Sequence, residues 1–288
     1  MTENYNNITH WNGSYEYFND EYNQKLDFIR HVVRCVIISI GLPLTLMVIY
    51  SLCFLVRKDH VAPIYVINLL ISDLIQFCCL LILEINQHQS LNIVNYIYSS
   101  GLMTSVCFMV CVSLERYLVI AHPLWYRFKR TIKISVVVSV VAWLLPPVTF
   151  LLLFLFSQLL WVPVEVIYII ITIIFLIIPF PLLIFFLVGT LRALSASVSI
   201  PFEEKCRIVG ILVMMLLIYT LLFLPSIILF ILMYMNIFDR NLGVLSGMFF
   251  TLSPLADLIL YVFLRKESIV KLYTAVNWCR LANADTNI

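Results

Sequence analysis

Seven long apolar runs alternate with short polar ones along the 288 residues of this chain. They lie at roughly 31–56, 62–85, 92–120, 134–156, 163–193, 206–235 and 241–264. Each reaches the ~20 apolar residues that a helix needs to cross a bilayer. The pattern predicts an all-α membrane protein: a seven-transmembrane helix bundle over 31–264. The connections are short, so neighbouring helices are expected to run antiparallel and pack closely. Only about Ser157 to Trp161 separates the fourth and fifth runs, and about Ser195 to Lys205 the fifth and sixth. The polar residues 1–30 read as a short disordered tail. After the seventh run, Arg265-Lys266-Glu267-Ser268-Ile269-Val270-Lys271-Leu272-Tyr273 alternates basic and apolar residues at helical spacing. Residues 265–288 are therefore expected to hold an amphipathic helix on the membrane surface, followed by a cytoplasmic tail.

Composition agrees with that reading. The chain is 62% hydrophobic and 12% charged, where a soluble domain is about half apolar and a quarter charged. Lipid replaces water as solvent for most of the surface, and seven spans leave no room for another globular domain. Fourteen of the eighteen Lys and Arg residues fall in alternate connections, Lys25, Arg30, Arg34 and Arg240 being the exceptions. The positive-inside rule then places the N-terminus outside and the C-terminus in the cytoplasm, as in a multi-pass plasma-membrane protein. Basic inner loops also attract anionic lipid headgroups. No basic-then-apolar leader precedes the first run, so that run is expected to act as its own signal anchor.

Asn7-Ile8-Thr9 and Asn12-Gly13-Ser14 are glycosylation acceptors on the side expected to be extracellular. The stretch from Ser14 to Tyr22 interleaves tyrosines with acids. It reads either as a sulfated arm that captures a basic ligand or as a solvated acidic tail. None of the eight cysteines falls in an outer loop, so no disulfide framework is visible. Most are expected to be packed small apolar side chains. Cys279, behind the amphipathic segment, is either a palmitoylation site or an unmodified thiol.

Several polar or helix-breaking residues interrupt the apolar runs. Glu115-Arg116-Tyr117 closes the third. An adjacent acid and arginine on a spanning helix are costly unless they pair or face a cavity, and at a helix end they can form a latch that releases the arginine. Asp73 falls in mid-membrane, where a carboxylate is a functional-site candidate by default. Pro225 removes one backbone hydrogen bond near the middle of the sixth run and leaves a hinge there.

These residues, in order, carry a resemblance. Gly41-Leu42-Pro43, Asn68-Leu69-Leu70-Ile71-Ser72-Asp73, Glu115-Arg116-Tyr117, Trp143 with Pro146 and Pro147, Pro179 with Pro181, Phe223-Leu224-Pro225 and Asp257-Leu258-Ile259-Leu260-Tyr261 give one cue per helix. Together they resemble a rhodopsin-like G-protein-coupled receptor. Phe223 in place of tryptophan and Asp257 in place of asparagine are similar to the branch with nucleotide, protease-activated, lysolipid, proton-sensing and Mas-related receptors. The resemblance implies coupling to a heterotrimeric G protein through Glu115, Arg116, Tyr117 and Leu124. It implies an activation switch at Phe223, Pro225 and Tyr261. It also implies that Ser105, Ser253 and Asp257 surround Asp73 in a pocket for sodium or a proton; the alternative is a buried hydrogen-bonded pair of acids.

Glu84, Asn95, Tyr98 and Phe230 fall at the outer ends of their helices and are candidate ligand-pocket residues. No Arg or Lys stands on the outer third or sixth helix, so a multiply charged anion has no partner there. Glu84 and Glu165 point instead to a cationic or zwitterionic group beside an apolar pocket, or simply face headgroup water. The unknown extracellular ligand is therefore read as lipid-like, cationic or peptide.

The chain departs from the family in three places. Leu91 stands where most relatives carry the cysteine of an outer disulfide, the second outer loop is too short for the usual lid, and Leu187 or Gly189 replaces the inner tyrosine of the fifth helix. A proton sensor built on His10, His31, His88 and Glu84 is the alternative within the family. A transporter or channel is the alternative outside it, but no inverted repeat is visible. No His-rich motif or nucleophile elbow suggests an enzyme. No cofactor and no nucleic-acid partner are expected.

Overall fold

The computed structural model describes residues 3–58, 64–86, 92–129, 132–160, 164–196, 202–235 and 240–264. Nine helices are formed among them: α1 (Glu3–Lys58), α2 (Ile64–Ile85), α3 (Asn92–Ala121), α4 (Pro123–Lys129), α5 (Ile132–Leu160), α6 (Val164–Ile177), α7 (Pro179–Ala196), α8 (Phe202–Tyr234) and α9 (Arg240–Leu264). Six apolar stretches are long enough to cross a membrane, the fifth running through α6 and α7, and the shorter apolar helix Gly243–Ile259 adds the seventh. The result is the expected seven-helix bundle.

The helix boundaries follow local chemistry. Pro123 begins α4, where its missing N–H would be unsatisfied in any case. The fifth span breaks at Ile178 because neither Pro179 nor Pro181 can donate to the turn before it. Pro146 and Pro147 in α5, Pro225 in α8 and Pro254 in α9 leave their helices continuous. The tail expectation is corrected over Glu3–Arg30, which continues α1 as helix. Only Gln24–Cys53 of that helix is apolar enough to cross a bilayer. Once a span has nucleated a helix, each added residue gains one hydrogen bond, and Glu3–Arg30 contains no proline to stop it. The stretch expected to be amphipathic, with Cys279, lies outside the described residues.

Helix α3 stands at the centre. It packs on α2, α5, α7, α8 and the short α4. The principal core gathers Leu69, Leu70, Met103, Phe108, Met109, Val112, Met215, Tyr219 and Phe223 from α2, α3 and α8. A second core of Ile37, Ile38, Phe77 and Leu80 joins α1 to α2. There Gly41 lets the backbone approach so closely that a Cβ would overlap the Phe77 ring. A cross-bundle hydrogen bond from Trp143 Nε1 to Asn68 Oδ1, 2.9 Å, fixes α5 against α2.

Candidate functional site

Three polar sites interrupt this apolar bundle, one at each end and one in the middle. At the end expected to face the cytoplasm, α3 finishes in Glu115-Arg116-Tyr117 and α4 folds back beside it. Glu115 is buried. Its Oε1 accepts a 2.7 Å hydrogen bond from the Tyr126 hydroxyl of α4. Sequence alone does not single out Tyr126, because it lies beyond Pro123 in a segment that reads as a loop. Tyr117 sits in an aromatic nest with Phe185, Phe186 and His122, at ring-centre distances of 5.9, 5.8 and 6.0 Å. Gly189 of α7 provides its floor: a Cβ there would lie 2.6 Å from the Tyr117 ring. Gly189, one of the two positions at which the family's inner tyrosine is expected, is thus where Tyr117 packs. Leu124 and Phe128, four residues apart on α4, are 73% and 81% exposed, so α4 presents an apolar edge at the same end of the bundle as Glu115-Arg116-Tyr117.

In mid-bundle, Asp73 of α2 and Asp257 of α9 are buried and lie within side-chain hydrogen-bonding range of each other. Asp73 Oδ1 accepts from Gln76 Nε2 at 3.3 Å. Among the described residues, no donor reaches Asp73 Oδ2 or either Asp257 oxygen, and the Ser253 hydroxyl and Gln76 Oε1 also lack partners. Buried polar groups of this kind normally find a partner. Ser105 is buried as well, but its hydroxyl donates to the Leu102 carbonyl of its own helix at 2.8 Å. Gln76, three residues beyond Asp73, has the amide reach expected of Ser105. A polar side chain in an apolar run is the signal that points to it.

An aromatic line runs along α8 and α9 from this level. Tyr219 lies 4.9 Å from Phe223, Phe223 lies 6.1 Å from Phe250, and Phe250 lies 5.9 Å from Phe230. The Tyr219 hydroxyl donates to the Leu176 carbonyl, beside the break between α6 and α7. Phe223 therefore stands in one packed column with the broken fifth span, and Pro225 lies two residues further along α8. Tyr261 is on α9, with its side chain outside the described residues.

At the outer end, the expected ligand residues do not converge on one pocket. Glu84 turns toward α1, where Oε1 contacts His31 Nδ1 and Oε2 accepts from Arg34 Nη1 at 3.0 Å. Arg34 thus takes up one oxygen of Glu84, and the other stays on the side of His31. Tyr98 packs on the same α1–α2 core. Asn95 is exposed. Phe230 belongs to the aromatic line on the other side. Asp27, Phe28, Arg30, His31, Arg34, Leu83 and Glu84 instead line an open cleft of about 540 Å³ between α1 and α2. The side chains of Asn7, Asn12, His10 and Glu165, and the whole of His88, lie outside the described residues.

Residues 45–263 match the family model described as 7 transmembrane receptor (rhodopsin family). Over 144 residues the chain is 31% identical to proteinase-activated receptor 2 of Mus musculus, a match that covers 46% of this chain and 35% of that receptor. It is 31% identical over 106 residues to a purinoceptor, type 6, of Rattus norvegicus, covering 33% of this chain and 32% of the relative. It is 29% identical over 121 residues to G-protein coupled receptor 68 of Homo sapiens, covering 39% of this chain and 33% of the relative. The matched stretches thus span about a third of the length of these curated relatives.

Proposed function

The chain belongs to the rhodopsin family of seven-transmembrane receptors, and from that premise we propose that it carries an extracellular signal to a heterotrimeric G protein. The observation that carries this reading is the inner end of α3. Glu115 is held by Tyr126, Tyr117 is seated on Gly189, and α4 presents an apolar edge at the same end of the bundle. Arg116 has five donors and keeps its charge at every physiological pH. In an open bundle it suits the carbonyls at the end of a partner helix, and Leu124 supplies an apolar contact next to it. The receptor sits in the plasma membrane with its N-terminus outside, on the strength of the basic inner connections.

The ligand is lipid-like, cationic or peptide. The outer cleft offers His31, Arg34, Glu84 and Asp27 together. Mixed charge of this kind favours a zwitterionic or peptide group over a simple cation. The test is nucleotide exchange on purified G proteins by the chain in lipid nanodiscs, with Arg116→Ala as control. Acceleration by the wild type and not by the variant supports the reading. No acceleration across all G-protein classes, with lipids, amines and peptides supplied, removes it.

A second reading, proton sensing, is favoured by the contact between His31 and Glu84. Protonation of His31 would turn that contact into an ion pair across α1 and α2, in a setting that already holds Arg34, Arg30 and Asp27. Loss of an acid response in His31→Phe would support it, and no signalling response of the wild type to acid would exclude it.

A further inference from the structure

We propose that His31, Cys35 and Glu84 form a zinc site that ties the outer end of α1 to that of α2. The site goes beyond the receptor reading, and only its access from the extracellular side rests on that topology. His31 and Cys35 are four residues apart on α1, the spacing that puts two side chains on one face of a helix. Glu84 approaches them from α2. One nitrogen, one sulfur and one carboxylate oxygen from these three residues all lie within 4.8 Å of one another.

The chemistry of the three donors selects the ion. Imidazole, thiolate and carboxylate are the ordinary ligands of zinc. Calcium and magnesium need cages of six or more oxygens, or several retained waters, and do not seek sulfur. The geometry is close to what zinc requires. His31 Nε2 and Cys35 Sγ are 3.9 Å apart. Tetrahedral zinc, with Zn–N about 2.0 Å and Zn–S about 2.3 Å, holds such a pair about 3.5 Å apart. Nδ1 of the same ring contacts Glu84 Oε1, so with Nε2 kept toward Cys35, Glu84 Oε1 must swing from Nδ1 to the ion for all three residues to bind it.

The surroundings are arranged for the same task. Arg34 holds Glu84 by Oε2 at 3.0 Å, which leaves Oε1 on the side of His31. An outer partner that orients a ligand in this way is the usual companion of a metal site. The His31 side chain is 44% exposed, and the cleft that His31 and Glu84 line is open. Solvent can therefore deliver the ion and supply water as the fourth ligand. Binding releases the thiol proton to solvent, so thiolate and carboxylate together balance the double charge of zinc. Arg34 remains on the outer oxygen.

The experiment uses the full chain in lipid nanodiscs at fixed pH, with cobalt as a spectroscopic stand-in for zinc. Wild type should take up one equivalent, with a thiolate-to-cobalt charge-transfer band and the ligand-field bands of a tetrahedral ion, and zinc should displace it. Cys35→Ser should lose the sulfur band, while Cys206→Ser should keep it. Glu84→Gln should weaken binding by removing a ligand, and Arg34→Leu, which removes only its outer partner, should weaken it about 10–100-fold. A second measurement needs no variant: zinc, and not magnesium, should slow alkylation of Cys35, mapped by peptide mass spectrometry. Cobalt bound without a sulfur band, zinc affinity unchanged in Cys35→Ser, or Cys35 alkylated equally fast with and without zinc would each overturn the site. None of these readouts uses a G protein, so a failed exchange assay leaves the zinc site standing, and the reverse also holds.

Discussion

At the scale of single residues, the inner end of α3 makes the sharpest predictions. Arg116→Ala should abolish G-protein activation and leave surface expression and agonist binding in place. Glu115→Gln should raise basal activity by weakening the latch. The structure adds Tyr126→Phe, which removes the 2.7 Å donor to Glu115. A hydrogen bond to a charged group contributes about 1.5–3 kcal/mol, and about 1.4 kcal/mol changes an equilibrium tenfold. Basal nucleotide exchange by Tyr126→Phe should therefore rise by about tenfold or more, if the active state lacks this bond. Wild-type signalling by Arg116→Ala would defeat the coupling assignment. Gly189 gives an independent test. Its Cβ would lie 2.6 Å from the Tyr117 ring, so Gly189→Ala should lower stability by about 1–3 kcal/mol through overpacking. Tyr117→Ala should relieve most of that loss in the double variant, read as thermal unfolding in detergent. Strictly additive losses would show that the two side chains do not meet. The residues of this end are legible as chemistry, because charge in an apolar run announces itself. Their partners are not. Tyr126 and Gly189 carry no signal until the chain folds α4 and α7 onto α3.

At the scale of elements, hydrophobic run length locates every span, because the bilayer sets one length for all of them. The start of α1 is hidden in the sequence because polarity resembles disorder, although nothing between Glu3 and Arg30 interrupts a helix already begun. The fifth apolar run predicts one helix, and the structure divides it at Ile178. Both prolines are visible, but sequence does not say whether neighbours hold a proline helix together. Pro225 is held, as is the pair Pro146 and Pro147, while Pro179 is not. The divided helix leaves carbonyls at the end of α6 without intrahelical partners, and the Tyr219 hydroxyl takes up that of Leu176. Tyr219→Phe should leave the buried carbonyl without this donor. The expected loss is about 1–3 kcal/mol, seen as a lower unfolding temperature with the helical content unchanged. Tyr219 also touches Phe223, so the variant should alter agonist potency more than a substitution on the lipid-facing side of α8, such as Leu221→Ala. Equal stability of Tyr219→Phe and wild type would mean that the break is satisfied without it.

At the scale of the whole molecule, the question is how an event at the outer cleft reaches the inner end of α3. The mid-bundle acids lie between the two and join α2, the partner of α1 at the cleft, to α9, the partner of α8. Asp73 and Asp257 interact directly in the buried middle of the bundle, with Gln76 as the donor to one Asp73 oxygen, and the Ser253 hydroxyl, four residues before Asp257 on α9, has no partner among the described residues. Two carboxylates this close share either a proton or a cation. We propose that the oxygens of Asp73, Asp257, Ser253 and Gln76, which lack partners among the described residues, hold a small hard cation such as sodium. Sodium would favour the closed bundle, in which the pocket stays expanded. Agonist would favour the collapsed pocket, from which the ion is expelled and a proton replaces its charge. Coupling of about 1–3 kcal/mol shifts affinity 5–150-fold. Sodium should therefore lower agonist affinity within that range at constant ionic strength, and less so at the lower of two pH values. Asp73→Asn should remove the effect. Asp257→Asn should reduce it and keep the fold, since one carboxylate remains. Gln76→Leu should also reduce it, because the amide oxygen is a candidate ligand and its NH2 group positions Asp73. The sequence shows the two acids but not the role of Gln76, whose place depends on how α2 turns toward α9. Agonist affinity indifferent to both sodium and pH in the wild type would leave the pair as a structural hydrogen bond between α2 and α9, and the signal would then have to travel by the aromatic line from Phe230 to Tyr219.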